Sequence, residues 1–132
     1  MLFRSIPKTG RLALTPMLND AGRLIGDFTV AALTDQQTGS EKFMVFGSGI
    51  AEGYHQRWFL HHLEGDDTVT YRPLGNELTG LSIAGPAARD LLATVGEADV
   101  GAEAFRFLDI RPMALGMVPA LVGRITFTGD LG

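Results

Sequence analysis

This 132-residue chain has no cysteine, so it cannot form a disulfide, ligate an iron–sulfur cluster or provide a thiolate zinc site. Positive charge is also scarce, because 11 lysines and arginines face 15 aspartates and glutamates, for a formal net charge of −4. Without a basic cluster, the sequence argues against nucleic acid binding. Apolar runs all fall short of the roughly 20 residues that span a membrane.

The motifs of several enzyme classes are missing as well. No GxGxxG or GxxxxGK[ST] follows a predicted strand, which argues against the common nucleotide-binding folds. The sequence has no GxSxG and no convincing pair of close carboxylates. Three histidines, His55, His61 and His62, lack both an i, i+4 pair and a facing carboxylate, so we expect them at the half-buried edge of a helix rather than on zinc.

Composition predicts one globular unit. Apolar residues make up 45% and charged residues 20% of a chain long enough to bury a core. The 17 glycines indicate many tight turns and short strands. We expect residues 1–132 to form a single, partial domain, ragged over residues 1–9 and cut in mid-motif at its carboxyl end. The first residues have no basic segment followed by an apolar one, so no signal peptide is expected.

The central feature is a predicted β-hairpin. Apolar runs at residues 12–18 and 24–33 flank Asn19-Asp20-Ala21-Gly22, a typical turn sequence. Alternation along the second strand places Asp27 and Thr29 on one face and Phe28 on the other. Both faces are mostly apolar, so we predict that the strand is covered on both sides.

Asp27 is the only charge between Arg23 and Asp35. Burial of an unpaired carboxylate costs several kcal/mol unless something compensates for it. One interpretation is structural, in which Asp27 caps a backbone N–H or pairs with an arginine. The other is a site acid or base that meets a cationic or amine-bearing ligand. The pattern alone leaves both open.

The remaining elements follow from periodicity and turn residues. A helix over residues 50–63 is predicted from a stripe of Ile50, Tyr54, Trp58 and His61, and the glycine-rich residues 47–49 before it free the backbone for a close approach. A second amphipathic helix begins at Pro86 and is closed by Gly96. Strands are predicted at residues 42–46, 68–71, 77–84, 105–115 and 118–127, the last two forming a second hairpin. This order indicates an α+β fold with a largely antiparallel sheet.

Four stretches together resemble the aminomethyltransferase family, that is, the glycine cleavage T-protein and the folate-binding half of dimethylglycine and sarcosine dehydrogenases and oxidases. They are Met17-Leu18-Asn19 with Gly22 and Gly26-Asp27-Phe28-Thr29-Val30; residues 43–49 leading into residues 54–63; Gly85-Pro86-Ala87-Ala88-Arg89-Asp90-Leu91-Leu92; and the residues from Gly123 to Gly132. The Thr29-Val30 ending and residues 47–49 look more like the amine-oxidising branch.

The resemblance implies transfer of a one-carbon unit from an N-methyl amine such as dimethylglycine or sarcosine to tetrahydrofolate. Asp27 takes the place of the family's key acid, which implies a catalytic role. Folate contacts are implied for Thr29, Gly47, Ser48 and Phe127. The resemblance also implies an FAD domain outside this chain and a cytoplasmic location, or the mitochondrial matrix in a eukaryote, with no nucleic acid or membrane partner.

Departures from the family pattern are equally specific. Many glycine cleavage proteins have two consecutive acids where this chain has Gly26-Asp27, and Phe127 replaces a tyrosine whose hydroxyl is then lost. The family's pterin-gripping glutamate falls beyond Gly132. Two alternatives therefore stand beside the enzyme: a non-catalytic folate-fold module of the iron–sulfur assembly type, although its Lys-Gly-Cys-Tyr-type motif is absent, and a fragment inactive in isolation.

Overall fold

Two antiparallel sheets and two α-helices make up the computed structural model, which describes residues 6–126 and 129. The α+β class predicted from the sequence is confirmed. A three-stranded sheet has the order β1-β2-β3, and a two-stranded sheet has the order β4-β5. None of the described helices has the length and apolarity to cross a membrane. The elements are β1 (Arg11–Leu18), β2 (Leu24–Thr34), β3 (Glu41–Phe46), α1 (Glu52–His62), α2 (Ala88–Val95), β4 (Ile110–Leu115) and β5 (Val118–Gly123).

The predicted first hairpin is confirmed and its turn is built as expected. The Asn19 side-chain oxygen accepts hydrogen bonds from the backbone N–H groups of Ala21 and Arg23 at 3.1 and 2.9 Å. Gly22 has a φ of 73°, which glycine adopts without steric cost. This turn sets the register in which Pro16 lies opposite Asp27.

The turn from β2 to β3 depends on one carboxylate. Asp35 accepts hydrogen bonds from the backbone N–H groups of Thr38 and Gln37 and from the Thr38 hydroxyl. These donors, with the Lys42 ammonium 4.0 Å away, hold the pKa of Asp35 below its ordinary value. The turn thus fixes how β3 returns along β2.

The two sheets meet at the start of β1. The Leu12 N–H donates to the Leu108 carbonyl, and the Ile110 N–H donates to the Gly10 carbonyl. Across this junction the Arg11 guanidinium pairs with the Asp109 carboxylate. A core cluster forms directly beneath it, with Leu33, Met44 and Leu108 packed around buried Leu12, Ala31 and Ile110.

A second core cluster joins α2 to the β4-β5 hairpin. Val100, Phe105 and Met113 are buried, and Leu92, Ala98 and Val122 pack against them. The Arg111 guanidinium lies 4.9 Å from the centre of the Phe105 ring and donates to the carbonyls of Asp99 and Ala104. This arrangement holds the loop before β4 against the hairpin.

Four predicted strands differ from the structure. Residues 68–71 and 77–84 form no strand. Residues 105–109 contain a bend, a turn and an isolated bridge at Asp109, so β4 begins at Ile110, and β5 ends at Gly123 instead of continuing through residues 124–126. A strand requires a hydrogen-bonded neighbour, and neither 68–71 nor 77–84 pairs with any described strand. Apolar side chains of 77–84 are therefore exposed, Leu81 at 94%.

Both helices lie near their predicted positions. A single 3₁₀ turn, Gly49–Ala51, precedes α1, so the α-helix begins two residues later than predicted. The helix α2 begins at Ala88 rather than at Pro86. The second hairpin turns at Gly116-Met117 as expected, with Gly116 at a φ of 58°.

Candidate functional site

The sheet face that carries Asp27 is only half covered. Residues opposite each other on neighbouring strands share a face. The row Leu12–Ala31–Met44 lies under Ile110 of β4 and belongs to the first core cluster. The next rows, Leu14–Thr29–Phe46 and Pro16–Asp27, lie on the same face beyond that core. We call these five residues, Leu14, Pro16, Asp27, Thr29 and Phe46, the open face.

Exposure of the open face contradicts one prediction. Leu14 is 59% and Phe46 is 44% exposed, Thr29 is half-buried and Asp27 is exposed. The expectation that Asp27 is covered on both sides is therefore wrong. It failed because the core under β4 reaches the Ala31 row of β2 and no further, which apolar alternation along one strand cannot reveal.

Asp27 is also not held by a structural ion pair among the described residues. The ion pairs found between residues 6 and 126 involve Asp109, Asp35, Glu77 and Glu103, and none involves Asp27. The arginine partner considered from the sequence is thus not seen in the described part of the chain. The carboxylate lies on a solvated surface between apolar side chains, where it is available to a ligand.

The opposite face of β2 is closed by α1 at the same level. Phe28, 5% exposed, packs edge-on against His55 with ring centres 4.7 Å apart, and Phe59 lies 5.7 Å away. His55 is itself only 7% exposed and is the one buried residue of α1. The strand segment that presents Asp27 is therefore packed on one side and open on the other.

Burial of His55 was missed by the sequence analysis. The predicted stripe through Ile50 and Tyr54 is exposed, and the side that contacts the sheet passes through His55 and Phe59. These two residues are spaced i, i+4, which is the signal that could have revealed them. His61 and His62 are exposed, and the described residues contain no cluster of three or more side chains able to ligate a metal.

Gly47 has a packing reason to be glycine. A Cβ built there would lie 2.6 and 2.8 Å from two carbons of the Phe28 ring, which is far inside normal contact. Gly47 thus belongs to the closed side of the sheet, away from the open face, and its predicted folate contact stays a prediction. Ser48 is exposed, and its carbonyl accepts the Ala51 N–H at the 3₁₀ turn. Phe127 lies outside the described residues.

Comparison with known proteins gives a family match across nearly the whole chain. The family model described as the GCVT N-terminal domain matches residues 2–132. Human mitochondrial dimethylglycine dehydrogenase is 31% identical over 128 residues, which is 96% of this chain and 14% of that protein. Two aminomethyltransferases are also similar: that of Bacillus cereus is 29% identical over 95% of this chain and 32% of its own length, and that of Bacillus licheniformis is 36% identical over 57% and 20%. The chain thus spans between about one seventh and one third of the length of these relatives.

Proposed function

Because this chain belongs to the GCVT N-terminal domain family, we propose that its open face forms part of a site where a one-carbon unit is transferred to tetrahydrofolate. The donor in this proposal is an N-methyl amine such as dimethylglycine or sarcosine. The observation that carries the proposal is the position of Asp27 and Thr29, two residues apart on one strand face and flanked by exposed apolar side chains.

The residues of the open face fit a reduced pterin. The pyrimidinone half of this ring system is flat, and the ring system carries amine and amide N–H groups that need acceptors. The Asp27 carboxylate is an acceptor only, and the Thr29 hydroxyl can both accept and donate. Leu14 and Phe46 offer apolar contact on either side of Thr29. Together they supply the two kinds of contact that small-molecule sites combine, apolar surface and a few placed polar groups.

Asp27 has a clear task in such a site. Tetrahydrofolate supplies the amine nitrogens that accept the one-carbon unit, and the unit itself arrives with cationic character. The Asp27 carboxylate can orient this cation, stabilise its charge and accept a proton. At 4 Å the attraction is about 1 kcal/mol in bulk water and about 4 kcal/mol in the partly shielded environment of a protein surface. Since Asp27 is exposed, the bound ligand or a covering segment has to exclude water for the larger value to apply.

The choice of an N-methyl amine rests on the relatives. Dimethylglycine dehydrogenases of human, rat and mouse are 31–32% identical over 96% of this chain. Taking a one-carbon unit from an N-methyl group requires an oxidant, and we assign this task to an FAD domain outside these residues. Those three mammalian relatives are mitochondrial by name, and we propose the mitochondrial matrix for a eukaryotic protein and the cytoplasm for a bacterial one.

The test is tetrahydrofolate-dependent transfer by the protein at the full length that its gene encodes, which we call the full-length protein. Asp27→Ala is expected to slow transfer by roughly 10²-fold or more, the usual contribution of a proton-transfer group, with folding retained. Asp67→Ala, which removes an exposed carboxylate that is not part of the open face, is the matched control and should leave transfer unchanged. Normal transfer by a folded Asp27→Ala protein would show that the acid is structural.

A further inference from the structure

His55 contacts both chain neighbours of Asp27. Its ring packs against Phe28 with centres 4.7 Å apart. Its Nε2 atom lies 2.9 Å from the position that a Cβ on residue 26 would take. Because side chains alternate along a strand, residues 26 and 28 face α1 while Asp27 faces the open side. The His55 imidazole thus packs against β2 at Gly26 and Phe28, on the face opposite the Asp27 carboxylate.

The same contact explains why residue 26 is glycine. Separations under 3.0 Å to a Cβ essentially never occur, so a side chain at residue 26 would require His55 to move. His55 has little room for this, since it is 7% exposed and its ring packs against those of Phe28 and Tyr54, with centres 4.7 and 5.7 Å away. A side chain added at residue 26 would therefore point into the space that the imidazole fills, on the face opposite Asp27.

We propose that His55 is a positioning residue, which holds the Gly26–Phe28 segment so that Asp27 presents a single carboxylate on the open face. The proposal rests on the proposed function, because it gives His55 its effect through Asp27. It also implies that the protein cannot hold both the His55 ring in this position and a side chain at residue 26. The imidazole acts by its place and shape and touches no ligand.

The steric part is tested by hydrogen exchange of the β2 amides in the full-length protein. Gly26→Ala is expected to lower their protection about 5- to 150-fold, the range found when a packed site is overfilled. Gly80→Ala is the matched control, because a Cβ there meets nothing within 4 Å. The double variant Gly26→Ala/His55→Ala should lose less protection of the β2 amides than the product of the losses measured for the two single variants. A Gly26→Ala protein as well protected as Gly80→Ala would overturn the contact.

The functional part is tested by calorimetric titration of the full-length protein with tetrahydrofolate. We expect His55→Ala and Asp27→Ala each to weaken binding about tenfold, and the double variant to bind no more weakly than the weaker single variant. Such non-additivity indicates that His55 acts through Asp27, whereas a general loss of structure would make the two losses multiply. The positioning role of His55 would be overturned if the two losses of affinity multiplied in the double variant, or if His55→Ala bound tetrahydrofolate as tightly as the unmodified protein. An unmodified protein that does not bind tetrahydrofolate would instead refute the proposed function, and the exchange experiment would still decide the contact.

Discussion

Replacing Gly47 by alanine should be costly, because the Phe28 ring occupies the space that a methyl group needs. The added carbon would lie 2.6 Å from one ring carbon and 2.8 Å from another, whereas carbon atoms pack at about 3.5–4.0 Å. The ring has little room to withdraw. His55 lies 4.7 Å and Phe59 5.7 Å from it on the side of α1, and Phe28 is already 5% exposed.

Overfilling a packed site of this kind costs about 1–3 kcal/mol in the free energy of unfolding. We place Gly47→Ala in the upper half of that range, because the clash is with a buried ring rather than with the end of a flexible chain. Gly49→Ala is the matched control two residues away, where a Cβ meets nothing within 4 Å and the change should lie within about 0.5 kcal/mol. Phe28→Leu, combined with Gly47→Ala, should recover part of the loss because the smaller side chain makes room.

The free energy of unfolding is measured by urea unfolding followed by circular dichroism, with linear extrapolation to water. The four proteins are the unmodified 132-residue chain, Gly47→Ala, Gly49→Ala and the double variant Phe28→Leu/Gly47→Ala. If Gly47→Ala unfolds at the same urea concentration as Gly49→Ala, the packing explanation fails. Gly47 would then be glycine for another reason, and the folate contact implied by the family resemblance would be the first to examine.

Three further predictions test separate parts of the molecule. Partial burial raises the pKa of Asp109, but the Arg106 N–H and the Arg11 guanidinium outweigh this and hold the pKa below its ordinary value. The stabilisation is therefore present above about pH 4 and declines as the pH falls further. Asp109→Asn should be less stable than the unmodified chain at pH 7, and the difference in the free energy of unfolding should shrink below about pH 4; a difference that stays constant as the pH falls would contradict this. Phe105→Ala, which empties a site only 3% exposed, should cost about 3–5 kcal/mol in urea unfolding, and a loss below 1 kcal/mol would show that the second core cluster is loosely packed. Thr29→Val should keep stability within about 0.5 kcal/mol while weakening tetrahydrofolate binding several-fold in calorimetry, and unchanged affinity would remove Thr29 from the site.

Local features were predictable from the sequence. The Asn19–Gly22 turn and the Gly116 turn fix their hairpins through side-chain acceptors and positive φ angles that belong to a few neighbouring residues. Both helices were found for the same reason, since apolar periodicity is a local signal, and so is the glycine that closes α2. The family resemblance, based on short motifs, was equally accessible.

Features that depend on distant residues were not predictable. The strand predicted at residues 77–84 contains the apolar residues Leu78, Leu81 and Ile83, but pairing needs a neighbour from elsewhere, and none of the described strands supplies it. Asp27 was expected to be buried because its strand is apolar on both faces, yet coverage ends where the core under β4 ends. Which side of α1 faces the sheet was likewise set by its contact with Phe28. This contact buries His55 and leaves Tyr54 exposed.

The central claim is that the open face binds tetrahydrofolate, and hydrogen exchange of the full-length protein with and without this ligand tests it most directly. The account predicts that tetrahydrofolate slows exchange in the three strands around Leu14, Asp27, Thr29 and Phe46, and that Asp27→Ala reduces this protection at the same ligand concentration. Protection confined to other parts of the protein, with these strands unchanged, would contradict it.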